Sequence, residues 1–185
     1  MLFAPFAEAA KTEVPGCGPA RNFVDDVAGQ IAHIMASPSG HQRNFTRVFR
    51  RYADLKGMAN FALGRYSRSI PGRFRSEYYN LAEKMVVSMF TSRMSRKKGR
   101  SYKIWSCKPK GRGYLVKGVV IEKNGDIVIN VHWLLMPHGK NLKIADVAVA
   151  FMWMTQQQRS SFRSVLSKNR GDFSALLKHM RARSS

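Results

Sequence analysis

The first half of the chain repeats its apolar residues every three or four positions, which is the period of an amphipathic helix. Phe23, Val27, Ile31 and Ile34 share one helical face within residues 18–35. The breaks that follow contain Pro and Gly, which favour turns. Further helices are predicted at about residues 42–52, 54–64 and 72–96.

The last of these helices has the broadest apolar face. Its apolar residues recur at spacings of three or four, which predicts one continuous buried stripe along a long helix. The stripe consists of Phe74, Tyr78, Leu81, Met85 and Met89, and it is widened by Val86 and Phe90.

After residue 100 the apolar period changes to two, which is typical of strands. Asn124-Gly125 is a strong hairpin signal, because both residue types tolerate positive φ. Strict alternation predicts an antiparallel sheet with one well-buried side. The four predicted strands are residues 101–108, 113–123, 126–136 and 142–154. The residues predicted to share a face are Ile127, Ile129, Val131, Trp133 and Leu135 on the third strand, and Val147, Val149, Phe151 and Trp153 on the fourth.

Two helices are predicted to close the chain, at residues 156–168 and 171–180, with Asp172 as the N-cap of the second. The order of helices, a meander of strands and helices again predicts one α+β domain. We expect it to occupy residues 10–185, with a curved four-stranded antiparallel sheet wrapped by about six or seven helices.

The charge restricts the class of partner. Lys and Arg number 32 against 11 Asp and Glu, a net charge of +21. Such a surplus attracts polyanions, which include nucleic acids, anionic membrane surfaces and acidic ligands.

The amino terminus suggests export. Ala7-Glu8-Ala9 has the small-x-small pattern of a signal-peptidase site, so residues 1–9 are interpreted as the remnant of a secretory signal. No run of about 18 apolar residues follows, and no membrane-spanning helix is predicted. Cys17 and Cys107 either pair in an oxidising compartment or remain free buried thiols, and the sequence leaves both readings open.

Motifs for catalysis and metal binding are missing. The five histidines are scattered, and no phosphate-binding or nucleophile motif occurs, so a non-enzyme without cofactor or metal is favoured. Two kinds of binding remain. The basic segment 93–114 contains Tyr102, Trp105 and Tyr114, and this mixture is typical of nucleic-acid binding, in which cations neutralise phosphates and aromatic rings stack on bases. The ten methionines and the apolar sheet face would instead suit an apolar ligand.

Three segments, residues 54–68, 77–94 and 144–166, resemble the MlaC family, also called toluene-tolerance or phospholipid-binding periplasmic proteins, which includes hopanoid-associated members. Asp54 and the following "FALGRYSR" match the family pattern, although Ser67 stands where Trp is usual. The remaining matches are Asp146-Val147, Arg159 and Phe162. The resemblance covers about residues 20–182.

The resemblance implies a nuclear-transport-factor-like or cystatin-like sheet that holds lipid acyl chains between sheet and helices. It implies a periplasmic carrier that shuttles phospholipid between an outer-membrane lipoprotein–porin complex and an inner-membrane ABC transporter, with transient contact with membrane surfaces and no nucleic acid. The lipid-binding residues expected on this basis are Val86, Met89, Phe90, Ile129, Val131, Trp133, Val147, Val149 and Phe151.

One segment departs from the family pattern. Ala150-Phe151-Met152-Trp153 stands where the family has Glu-Gly-Val-Ser. If Phe151 and Trp153 point inward, they narrow the cavity. The alternative function is therefore a basic polyanion-binding or scaffold protein with a closed core.

Overall fold

The computed structural model describes residues 16–37, 39, 41–94, 101–122 and 124–184, and it describes residues 90, 93 and 94 by their backbone alone. The predicted signal remnant at residues 1–9 lies outside the described residues. Within the described ranges, no helix is both long and apolar enough to cross a bilayer.

Helices form both ends of the described chain, and a sheet lies between them. The first helices are α1 (Gly18–Ala36), α2 (His41–Tyr52), α3 (Leu55–Leu63), which continues into a 3₁₀ turn (Gly64–Arg68), and α4 (Gly72–Met94). The strands are β1 (Ser101–Lys110), β2 (Gly113–Ile121), β3 (Ile127–His138), β4 (Asn141–Val149) and β5 (Met152–Trp153). The last helices are α5 (Met154–Lys168) and α6 (Phe173–Arg181).

The sheet has the order β1-β2-β3-β4-β5, and each strand is antiparallel to its neighbour. The register shifts once in each of the three long pairs, at Ile104/Ser106, Val120/Ile121 and Leu134/Leu135. Such bulges bend and twist a sheet. The α+β prediction is confirmed. The predicted fourth strand, however, is two strands, because the chain reverses at residues 150 and 151.

A carboxylate caps the amino terminus of two of the helices. The Gly57 amide donates to Asp54 Oδ1 at 2.9 Å at the start of α3. The Ser174 amide donates to Asp172 Oδ1 at 2.8 Å at the start of α6, which confirms the predicted N-cap. Each carboxylate satisfies an amide that the helix itself leaves without a partner.

The core has two parts. The first lies between one face of the sheet, α1, α2 and the second half of α4, with Met58 of α3 and Met154 of α5 at its border with the helices. The second lies among α3, α5, α6 and the first half of α4. A disulfide between Cys17 and Cys107 joins the start of α1 to β1 in the first part. The sequence left this pairing open, and the structure resolves it.

The apolar stripe of α4 is divided between the two parts of the core. Tyr78, Leu81 and Met85 belong to the second part of the core, where the Tyr78 hydroxyl donates to the Ala59 carbonyl at 2.7 Å. Burial raises the pKa of this hydroxyl. Of the described side chains on α4, Val86, Val87 and Met89 contact the cluster on the sheet.

Candidate functional site

The face of the sheet that looks toward α1, which we call the inner face, is apolar across four strands. Trp133 pairs with Val147, and Val131 pairs with Val149, so these side chains lie side by side. Ile129 lies opposite Val120 of β2 on the same face. The predicted set of Ile129, Val131, Trp133, Val147 and Val149 therefore shares one face. All five contribute to the first part of the core.

The predicted residues of α4 reach the same cluster. Val86 is buried there, and Met89 packs against its edge while remaining partly exposed. The side chain of Phe90, which was also predicted to contribute, lies outside the described side chains. Ile129 is the partly exposed residue among the five predicted residues of the inner face, and Met89 on α4 is also partly exposed. Solvent therefore reaches both side chains.

The inner face is held in place by Tyr102, which the sequence suggested only as a candidate for contact with nucleic acid. Trp133 Nε1 donates to the Tyr102 hydroxyl at 2.9 Å, and this hydroxyl donates to the Val131 carbonyl at 2.9 Å. Burial raises the pKa of the Tyr102 hydroxyl. Gly118 makes room for the ring, since a Cβ there would lie 2.4 Å from it. Tyr102 is thus part of the inner face and is not available for stacking on bases.

Phe151 does not lie on the inner face, and its assignment to the lipid-binding set is wrong on position. Ala150 and Phe151 have φ of 52° and 66°, in the left-handed region, and they form the turn between β4 and β5. Phe151 is 68% exposed and packs edge-on against His132, 5.6 Å between ring centroids. His132 alternates with Val131 and Trp133 and so lies on the opposite, outer face.

Trp153 is likewise not on the inner face. It pairs with Ala148, which pairs with His132, so cross-strand pairing places it on the outer face. The sequence left open whether Phe151 and Trp153 narrow the cavity by pointing inward, and in the structure neither side chain lies on the inner face. The signal that could have located the turn is the Gly of the family pattern at position 151, because Gly adopts positive φ without strain.

We expect Phe151→Gly to stabilise the protein. A non-glycine residue in the left-handed region costs about 1–2 kcal/mol, and the greater freedom of Gly in the unfolded chain offsets part of that gain. Urea unfolding followed by circular dichroism should give a free energy of unfolding about 1 kcal/mol higher. Met152→Gly, one residue on and outside the left-handed region, is the control and should destabilise. A Phe151→Gly variant no more stable than wild type would contradict the strain.

Asp146 holds the two sides of this turn together. Its Oδ1 accepts hydrogen bonds from the Val147 amide at 2.8 Å and the Thr155 amide at 3.1 Å, and its Oδ2 accepts from the Thr155 hydroxyl. Burial raises the pKa of this carboxyl, and the hydrogen bonds lower it in part. Asp146 therefore fastens the start of α5 to β4.

Arg159, which like Asp146 matches the family pattern, joins two helices. Its Nη1 donates to the Phe61 carbonyl at 3.2 Å, and its Cζ lies 4.9 Å from the centre of the Phe61 ring. Gly64, at φ 58°, lies directly beneath, and a Cβ there would be 3.0 Å from the guanidinium. Gly64 and Arg159 thus join α3 to α5, which makes them structural residues.

Comparison with known proteins bears on this arrangement. A search among curated proteins finds no significant match. Among solved structures, the fold matches the phospholipid-binding protein from Ralstonia solanacearum in complex with a phospholipid, with a TM-score of 0.74 and 16% sequence identity. The match covers 90% of this chain and 94% of that chain, and at this identity it establishes the fold alone. The family model for MlaC protein matches residues 20–182, nearly the whole described chain. The chain therefore belongs to the MlaC family.

Proposed function

We propose that the protein is a periplasmic lipid carrier that holds the acyl chains of a phospholipid, or of a related lipid, against the inner face of its sheet. Family membership supports this proposal, and so does the common fold with a protein solved in complex with a phospholipid. The disulfide is consistent with an oxidising compartment such as the periplasm.

The observation that carries the proposal is the composition of the inner face. From β1 to β4 its side chains are aliphatic, aromatic or cystine, and none is charged. An acyl chain gains about 0.8 kcal/mol for each CH₂ that it buries in such surroundings. The same gain is available in a bilayer, so loading and unloading are close to balanced, and partners must give the transfer its direction.

The entrance for the acyl chains is proposed at the end of the inner face that contains the partly exposed Ile129. Val86, Val131, Trp133, Val147 and Val149 are each no more than 3% exposed and form the floor behind it. Trp133 has a structural role besides contact with lipid, because its indole N–H is already bonded to Tyr102.

The positive charge suits an anionic head group at the entrance. Each well-placed Lys or Arg contributes about 1 kcal/mol toward an anionic lipid surface. With a net charge of +21, the protein has ample cations for this role. The proposed partners are those of the family's transport system, an outer-membrane lipoprotein–porin complex and an inner-membrane ABC transporter, between which the carrier exchanges its lipid.

We expect the protein, purified without strong detergent, to retain lipid. Solvent extraction followed by mass spectrometry should find phospholipid in stoichiometric amount, and the ultraviolet spectrum should show no nucleic acid. A folded protein that carries no lipid, or one that carries nucleic acid after washing at high salt, would contradict the carrier function.

A matched pair of variants tests the position of the site. Ile129→Trp adds bulk at the partly exposed end of the inner face. We expect about a tenfold loss of retained lipid, because fitting both the larger side chain and the lipid would cost about 1–3 kcal/mol of overpacking. Val119→Trp adds the same bulk on the outer face of β2 and should leave the lipid content unchanged. Equal lipid content in all three folded proteins would remove Ile129 from the site.

A further inference from the structure

The outer face of the sheet has an exposed aromatic patch that binding of acyl chains at the inner face does not use. Trp105 on β1 is 55% exposed, and its ring meets His132 with 6.3 Å between centroids. Phe151 meets His132 from the other side. Trp153 completes the row through its pairing with Ala148. These four residues are the outer aromatic patch.

Lysines of β1 and β2 border this patch, and the described strands β1, β2 and β3 have no carboxylate beside it. Lys117 lies over the Trp105 ring, with its Nζ 5.5 Å from the centroid. Lys103 and Lys108 are exposed on the outer side of β1, where they pair with Val119 and Leu115 of β2. The sequences of β1, β2 and β3 contain no acidic residue. The carboxylate of Asp146 on β4 is buried and occupied by hydrogen bonds.

His132 adds no charge to the centre of the patch. Its ring is 8% exposed between Trp105 and Phe151, and its Nε2 has no hydrogen-bond partner among the described residues. Burial, and then the nearby charge of Lys117, lower the pKa of this imidazole, which favours its neutral form. The patch is thus apolar at its centre and cationic at its border.

The turn that presents Phe151 is strained, because Ala150 and Phe151 both have positive φ. The exposed position of the Phe151 ring therefore costs backbone free energy. Glycine would fit this turn without strain, yet the chain has a large aromatic ring there. Strained residues that persist are concentrated at functional sites. Aromatic rings with cations beside them are the side chains that settle at the interface of a bilayer with anionic head groups.

We propose that the outer aromatic patch, with Lys103, Lys108 and Lys117, is a docking surface for an anionic phospholipid bilayer. Trp105 and Phe151 enter the head-group region, and the lysines contact the anionic head groups. The inner face remains free to exchange an acyl chain while the outer face is docked. This inference goes beyond the proposed function, because docking requires no bound lipid.

The test is flotation of the purified protein with vesicles of phosphatidylcholine, with and without phosphatidylglycerol. Wild type should float with the anionic vesicles and not with the neutral ones. Phe151→Gly should lower the partition coefficient about tenfold, and so should Trp105→Ala, since each removes an exposed aromatic side chain that would be buried in the head-group region on docking. The double variant should lose about a hundredfold. Lys117→Gln should lower the partition coefficient on anionic vesicles about fivefold.

Phe61→Ala is the matched control. Phe61 is 46% exposed, but it lies on α3 under Arg159 and away from the row of outer-face pairings. This variant should float as wild type does. Phe151→Gly relieves backbone strain and is expected to be at least as stable as wild type, so weaker vesicle binding by this variant could not result from unfolding. Thermal unfolding of each variant checks its stability.

Three results would overturn the proposal. They are no flotation of wild type with anionic vesicles, equal flotation of wild type and the double variant, and concentration-dependent self-association of wild type that Phe151→Gly abolishes. The last would assign the patch to a second copy of the chain. The lipid content of the same preparations is measured separately, so failure of docking and failure of the carrier function are distinguishable.

Discussion

Loss of the Cys17–Cys107 disulfide is expected to lower the free energy of unfolding by about 4–5 kcal/mol. The bond closes a loop of sequence separation 90, and a cross-link over such a length removes much of the conformational entropy of the unfolded chain. For a protein of this size the loss corresponds to a decrease of roughly 10–15 °C in Tm. Thermal unfolding with and without reductant, followed by circular dichroism, measures it.

The Cys17→Ser/Cys107→Ser double variant is the control for the reductant. It should unfold at the temperature of the reduced wild type, and reductant should not change that temperature. If wild type unfolds at the same temperature with and without reductant, while thiol titration shows the bond reduced, the disulfide does not stabilise the fold. Because it joins α1 to the strand that contributes Tyr102, we also expect the reduced protein to retain less lipid.

The sequence predicted which residues share the inner face because alternation is a local property. Val131 and Trp133 are two positions apart on β3, as Val147 and Val149 are on β4, and a strand places such residues on one side. The apolar stripe of α4 was predicted for the same kind of reason. Periodicity does not identify what a stripe packs against. Tyr78, for example, packs on α5 and α3 and not on the sheet, which its place in the stripe could not indicate.

The turn at Phe151 was missed because nothing in its composition marks it. Residues 147–154 are apolar without interruption, and the usual turn residues are absent. A turn with positive φ at Ala150 and Phe151 is maintained by its surroundings, in particular by Asp146, which accepts hydrogen bonds from Thr155 beyond β5. Such a bond over nine residues is a tertiary feature, and pattern analysis does not reach it.

Contacts between distant segments account for the other residues that the sequence did not identify. Tyr102 precedes Val131 by 29 positions and Trp133 by 31, and its hydroxyl joins them only after β1, β2 and β3 have paired. Its position in a basic segment suggested contact with nucleic acid, which is a statement about neighbours in sequence. The disulfide poses the same problem, because two cysteines so far apart in the chain give no indication of whether they meet.

Phe162→Ala is expected to destabilise the protein by about 3–5 kcal/mol, the usual cost of removing a buried aromatic side chain. Phe162 is completely buried in the second part of the core, where its ring meets Tyr78 with 6.2 Å between centroids. Urea unfolding measures the change. Phe61→Ala, in an exposed ring, is the control and should cost much less.

The same variant separates stability from lipid binding. The second part of the core lies among α3, α4, α5 and α6, and it contains none of the sheet residues that form the inner face. The folded fraction of Phe162→Ala should therefore retain as much lipid per molecule as wild type. Wild type with its Cys17–Cys107 disulfide reduced should instead retain less. If the folded variant lost its lipid, the inner face and the helical core would have to be coupled through α3, α4 and α5, the helices that contribute buried residues to both parts of the core. Phe162→Leu, which keeps most of the side-chain volume but not the ring, would then separate two causes. Retained lipid in this variant would assign the loss to the cavity left by Ala, and lost lipid would assign it to the missing ring contact with Tyr78.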